Sequence, residues 1–279
     1  MLDSMPLRLP CKVDAHVHLT SCDALKSIRE AGITAVRDAG TKDSAGLALQ
    51  HASTDLTIRS AGRSLSRKGG YGGLFGKGLE NDAEIKVEIR TLHKTGAAII
   101  KVMASGIVSL SDPGKITAGG FGADELSMIV AEARLLGLSV MAHANGEDAI
   151  LHAARAGVRS IEHGFFMTES ALDALVKNGI WWVPTVSALE RAAAGAKISE
   201  ESGKQLRQTI TDHLVMIKKA HERGVKLALG TDAVLPDPRY GEYYDAELDY
   251  FRKAGLPDKE VARIACEAGK ALLAISGKQ

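Results

Sequence analysis

The chain has 279 residues, 45% of them hydrophobic, and a formal net charge of +1. That length can bury one large α/β barrel or two smaller domains. Basic and acidic residues are interspersed, which leaves no electrostatic footprint for nucleic acid or an anionic membrane surface, so a small-molecule or peptide substrate is the default partner.

No segment approaches the roughly 20 apolar residues that span a bilayer, and the opening MLDSMPLRLP has no apolar run of signal-peptide length. Cys11, Cys22 and Cys266 form no CxxC pair and are too few for a disulfide framework, which points to a reducing compartment. A cytoplasmic protein is expected, with its oligomeric state, a homo-oligomer included, left open.

Short runs rich in Val and Ile alternate with longer amphipathic stretches, the pattern of parallel strands and their crossover helices. In chain order the expected strands are KVDAHV (12–17), TAVRDA (34–39), LTIRSA (56–61), AIIKVM (98–103), SVMAHA (139–144), VRSIEH (158–163), IWWVPT (180–185) and VKLALGT (225–231). Helical patterns such as DALKSIREAG, DAEIKVEIRTLHKTG, ADELSMIVAEARLLG and ESALDALVKNG lie between them. Gly32, Gly96, Gly137, Gly157, Gly179 and Gly224 close helices just before the next strand, as the left-handed C′ position prefers. Eight β/α units predict a closed (β/α)8 TIM barrel, one domain over residues 1–279, rather than an open doubly wound sheet. Two connections exceed what packing needs, Gly62 to Asn81 and Ser105 to Gly122, and loops of that length are commonly functional. The stretch after Ile198 reads as helix.

His16 and His18 end the first strand one residue apart, and i and i+2 share a face in an extended strand. Lys101, His143, His163 and Asp232 fall at or near the carboxyl ends of later strands, which in a TIM barrel form the catalytic face. Each alone has a structural reading: a core histidine, a snorkelling lysine, a helix-capping aspartate. Six in register make a metal centre the better reading. Lys101 stands out because an unpaired ammonium inside AIIKVM is costly to bury.

The segments VDAHVHL, GITAVRDAG, SAGRSL, GAAIIKVMASG, VMAHANG, AGVRSIEHG, WWVPT and GVKLALGTDA resemble, in order, the amidohydrolase superfamily, in particular its branch of metal-dependent Xaa-Pro dipeptidases and imidazolonepropionate hydrolases. The resemblance implies that His16, His18 and Asp232 hold one divalent ion and His143 and His163 a second, bridged by a carboxylated Lys101 and a hydroxide. Zinc suits imidazole and carboxylate ligands, and manganese, cobalt or nickel could fill the same set. Asp232 would then act as general base and acid in hydrolysis of an amide, peptide-like or cyclic amide bond.

Asp38 reads as structural rather than as an acceptor for a ligand histidine. Asn145 and Glu162 are expected on other faces than their neighbours, with Glu162 packed against a helix. RKGGYGGLFGKG lacks GxxxxGK[ST] and reads as a mobile substrate loop, with Arg67, Lys68 and Tyr71 as contacts. Relatives often carry histidine at Tyr71 and histidine-glycine at Tyr240-Gly241, so Tyr71, Arg67 and Tyr240 are the expected substrate-binding residues. Trp181 and Trp182 read as core aromatics. Relatives also carry a β-sandwich from segments flanking the barrel. Here about ten residues precede the first strand and ACEAGKALLAISGKQ ends the chain, so a lone barrel, or one covered by another subunit, is expected. Two rivals stand beside this reading: a deaminase, against which Lys101 and the lack of HxE at the later histidines argue, and an inactive barrel acting as a binding subunit, against which the six retained ligands argue.

Overall fold

The computed structural model describes residues 9–275; most of MLDSMPLRLP, and the end of the chain, lie outside them. Eleven strands are present among those residues: β1 Val13–Leu19, β2 Ala35–Asp38, β3 Thr57–Ser60, β4 Ser64–Arg67, β5 Gly76–Leu79, β6 Ile99–Met103, β7 Ser139–Ala144, β8 Ser160–His163, β9 Trp181–Val183, β10 Lys226–Leu227 and β11 Ala233–Leu235. The ladders run β11-β1-β2-β3 and β10-β9-β8-β7-β6-β4-β5, and all their pairings are parallel. Backbone bonds join the two ladders, Ala15 N to the Leu229 carbonyl and Ala98 N to the Ser60 carbonyl, both 2.8 Å. The eight expected strands thus follow one another around a TIM-barrel-like domain. The glycines expected to close helices all have positive φ.

The segment from Gly62 to Asn81 departs from its expectation as a loop. It holds β4 and β5, which pair with each other and, through Leu65 and Val102, with β6. Leu65 and Leu79 are fully buried, so this segment is partly a piece of the wall. The eighth strand is shorter than expected. Past Leu227 the chain bends toward β1, and a Cβ on Gly230 would stand 2.8 Å from His16 Cβ and 2.5 Å from Val183 Cγ1. Only a glycine permits that approach.

The barrel's base is sealed by the C-terminal helical segments. Val13, Ala15, Trp181, Val183 and Ala228 cluster there with Leu272 and Leu273. Cys11 and Cys266 meet at this base in a disulfide, with Cα atoms 5.2 Å apart across 255 residues of sequence. This overturns the expectation of unpaired cysteines and removes the argument for a reducing compartment. Spacing hid the pair because only closure of the barrel brings the two ends together. Among the described residues no helix is long and apolar enough to cross a membrane.

Helix Glu200–Glu222 buries His213, and neither ring nitrogen makes a hydrogen bond among the described residues. Burial pushes its pKa down to about 3, opposed by the nearby Pro184 carbonyl. Below the ordinary value near 6.5 the unfolded chain binds a proton that the folded one refuses, so stability falls as pH drops through that window. His213→Phe should therefore reduce the stability lost between pH 7 and pH 5 by roughly 2 kcal/mol. Urea unfolding at the two pH values measures it, and an unchanged difference between them would refute the assignment.

Candidate metal centre

Strand β1 does not keep one parity. Val13 and Ala15 pack in the base cluster, whereas Val17 and Leu19 pack in the main core with the helices. The register with β2 shifts between Asp14 and Val17. This irregularity, a bulge in its effect, lets His16 and His18 both turn inward above Ala15. On the other side of the barrel, Met103 is level with His143, His143 with Glu162, and Ala144 with His163. The ladder register therefore carries Lys101, His143 and His163 to the same end.

There the six residues meet. His16 Nε2 and His18 Nε2 lie 3.3 and 3.2 Å from the same oxygen, Asp232 Oδ1. Lys101 Nζ is 3.5 Å from His16 Nε2. The His163 ring is 5.0 Å from that of His16 and 4.5 Å from that of His143. Asp232 and His163 both have positive φ, 53° and 66°, as does Thr185 at 49°. Strained backbone of this kind in non-glycine residues costs about 1–3 kcal/mol each and collects at functional sites.

Partners behind the rings set their direction. His16 Nδ1 donates to Glu162 Oε2 at 2.8 Å and His18 Nδ1 to the Gly40 carbonyl at 2.6 Å, which leaves both Nε2 lone pairs facing Asp232. His143 Nε2 donates to the Gly106 carbonyl at 2.8 Å, and His163 Nδ1 bonds the Thr185 hydroxyl at 2.7 Å. Asp38 accepts from Leu19 N, Gly40 N and Ser60 Oγ, so it holds the Gly40 turn rather than a histidine.

Electrostatics keep the donors available. Burial, helped by the Lys101 charge, pushes His16 down to about 4 and His143 down to about 3. Burial and His143 hold His163 well below its ordinary value. These imidazoles are neutral at pH 7. Burial pushes Asp232 up, but the surrounding histidines outweigh it and keep the carboxyl well below the usual range. Burial also lowers Lys101 to about 8, against Glu162 and Asp232.

The donors fit a divalent ion. Two ligands bound tetrahedrally at 2.0–2.1 Å stand roughly 3.3 Å apart, which matches the spacing from each histidine to Asp232. Neutral imidazoles oriented from behind and an ionised carboxylate are the donor chemistry that zinc and its neighbours take.

A model of the amidohydrolase family matches residues 9–278. The chain belongs to the amidohydrolase family. It is 35% identical over 157 residues to an ochratoxinase of Aspergillus niger, a match covering 56% of this chain and 32% of the relative; the chain thus spans about a third of that protein. An uncharacterized protein of Mycobacterium tuberculosis is 26% identical over 277 residues, covering 92% of this chain and 72% of the other. The crystal structure of a Xaa-Pro dipeptidase with bound methionine in the active site superposes with a TM-score of 0.80 at 25% identity, covering 95% of this chain and 75% of that one.

In this amidohydrolase-family barrel the expected substrate contacts separate. Tyr71 lines the cavity beside the cluster, its ring 4.9 Å from that of His143. Tyr240 does not reach it. The residue is buried, and its hydroxyl donates to Asp14 Oδ2 at 2.9 Å; a barrel-side anchor stands where a substrate contact was expected. Arg67 is held by Glu125 at 3.1 Å and by the Glu80 carbonyl, outside the cavity lining, and Lys68 pairs with Glu80. Glu80, just after β5, and Glu125, on helix Ala123–Leu135, hold these cations away from the cavity.

Glu162 also differs from its expectation. It lies inside the barrel, bonded to His16 and paired with Arg37, not against a helix. The positive φ of His163 breaks strand alternation, so consecutive residues both reach the interior. Asn145 likewise lines the cavity with His143, donating to the Gly106 carbonyl and accepting from Phe165 N. Phe75, which the sequence did not single out, stacks on His18 at 4.2 Å.

Proposed function

We propose that this chain is a metal-dependent hydrolase that cleaves an amide, peptide-like or cyclic amide bond of a small substrate. His16, His18 and Asp232 would hold one divalent ion and His143 and His163 a second, with a carboxylated Lys101 between them. Bound divalent ions at such a site polarise a scissile carbonyl and lower the pKa of water. The observation that carries the reading is the meeting of two histidine Nε2 atoms at one oxygen of Asp232, each ring steered from behind by a hydrogen bond.

Asp232 Oδ2, the oxygen not shared by those histidines, is the atom to accept the attacking water's proton. The same carboxyl then passes that proton to the leaving nitrogen, serving as base and afterwards as acid. Glu162 and the Gly40 carbonyl fix the histidine tautomers throughout. The family's divalent-metal habit, and the dipeptide substrate in the name of the Xaa-Pro dipeptidase, support the same class.

The test is metal analysis of the purified protein with hydrolysis of N-acyl amino acids and dipeptides before and after chelation. Stoichiometric metal and loss of activity on chelation, regained with zinc, are expected. Full activity in metal-free protein would overturn the reading.

A further inference from the structure

A cavity of about 150 Å³ opens beside His143, His163 and Asp232, and its outer walls are apolar. Ile107, Val108 and Leu110 come from the connection after β6, Phe165 from the turn after β8, and Leu189 from helix Val186–Gly195. Asp232 at the metal end is the one carboxylate in the lining, and no lysine or arginine lines it.

These walls are built rather than incidental. The connection after β6 folds back on itself through an antiparallel bridge between Val108 and Ile116. It docks on helix Glu200–Glu222, where Ser202 Oγ donates to the Ser111 carbonyl and Thr209 Oγ1 to the Pro113 carbonyl, each at 3.4 Å. Val108, Phe165, Leu189 and Leu206 form one apolar cluster, separate from the barrel core. Behind Phe165, the neutral ring of His213 stacks at 4.3 Å and meets Trp182 edge-on at 5.2 Å. The Trp182 indole N–H donates to the His163 carbonyl, so the wall and a proposed metal ligand share one support.

Across Asp232 the surroundings change. The neighbouring groove is mixed, with Arg191, Asp237 and Arg239 set among Phe75, Val234 and several alanines. A substrate lying over Asp232 therefore meets walls free of lysine and arginine on one side and a groove that includes two arginines on the other.

We infer that the apolar cavity receives an uncharged alkyl or aryl group attached to the scissile amide and rejects an ionised one, which makes Ile107, Val108, Phe165 and Leu189 specificity-determining residues. The inference rests on the amide-hydrolase reading and names its substrate class. Apolar space of roughly this volume accepts a benzene ring, and an ionised group against Ile107, Val108, Phe165 and Leu189 would lose its water without meeting an opposite charge on those walls.

The test compares two series on the zinc-loaded enzyme. One varies the acyl side, N-phenylacetylglycine against N-succinylglycine; the other varies the amine side, N-acetylphenylalanine against N-acetylaspartate and N-acetyllysine. In at least one series kcat/KM for the benzyl member should exceed that of the charged members at least 100-fold. Ile107→Arg, at a half-buried position, should lower the preference over the acidic member at least 10-fold, and Leu189→Ala should lower the kcat/KM of the benzyl member, with melting temperatures checking the fold of each. Equal or better turnover of charged members in both series, or ratios unmoved in both variants, overturns the inference and leaves the hydrolase reading standing. No hydrolysis of any member by metal-loaded enzyme overturns that reading, and the inference with it.

Discussion

Lys101→Ala is expected to lose metal and to lower kcat/KM for amide hydrolysis by at least ~10³-fold, about 4 kcal/mol of transition-state stabilisation. Lys101 is 1% exposed, and its amine stands 3.5 Å from His16 Nε2, in the middle of the donor cluster. No carboxylate makes a hydrogen bond or close ion pair with it among the described residues, the usual condition for keeping an ammonium buried. Burial lowers its pKa to about 8, which eases access to the neutral amine that carbon dioxide requires. Conversion to a carbamate would turn a poorly matched cation into an anionic oxygen ligand. Alanine removes that ligand and the desolvation cost together, so the variant should fold. Metal content and activity of wild type and variant, each reconstituted with zinc with and without bicarbonate, measure the effect. Unaltered metal binding and turnover in Lys101→Ala would count decisively against a carboxylated lysine.

Arg37→Met is expected to cost about 3–5 kcal/mol of stability, as breaking a buried ion pair does, and to lower the melting temperature by roughly 10 °C. Arg37 is buried inside the barrel. Its Nη2 donates to both Glu162 oxygens at 2.8 and 2.9 Å, Nη1 to Ser160 Oγ at 2.8 Å and Nε to the Ala15 carbonyl at 2.7 Å. Burial alone pushes the Glu162 carboxyl up, but Arg37 and the His16 hydrogen bond outweigh it and bring it down to about 2. Without the guanidinium, a carboxylate remains buried against His16 with its charge uncompensated. Removing both charges in Arg37→Met/Glu162→Gln should restore much of the loss, since the amide still offers His16 Nδ1 an acceptor. Thermal and urea unfolding of the single and double variants decide the matter. A single variant as stable as wild type would show that the pair does not sustain the barrel interior.

The first prediction concerns a proposed ligand of the metal centre and the second the layer beneath it, and the residues were unequally legible. Lys101 stood out because a charged residue in an apolar strand conflicts with its setting. Arg37 and Glu162 did not, because each has an ordinary surface explanation in a short strand. Their inward direction depends on barrel closure and, for Glu162, on the reversed φ at His163. Tyr240 failed in the opposite sense: its place by analogy was the mouth, yet Asp14 anchors its hydroxyl deep beside β1.

By itself the order of apolar runs, helix-closing glycines and strand-end histidines determined the β/α repeat and placed His16, His18, Lys101, His143, His163 and Asp232 at one end, because strand and helix periods are local properties of the chain. Tertiary structure alone decided which groups face those residues from behind, where Cys11 and Cys266 meet, and that the cavity beside them has apolar walls. Those contacts join segments tens to hundreds of residues apart, and no local pattern records a neighbour that only folding supplies.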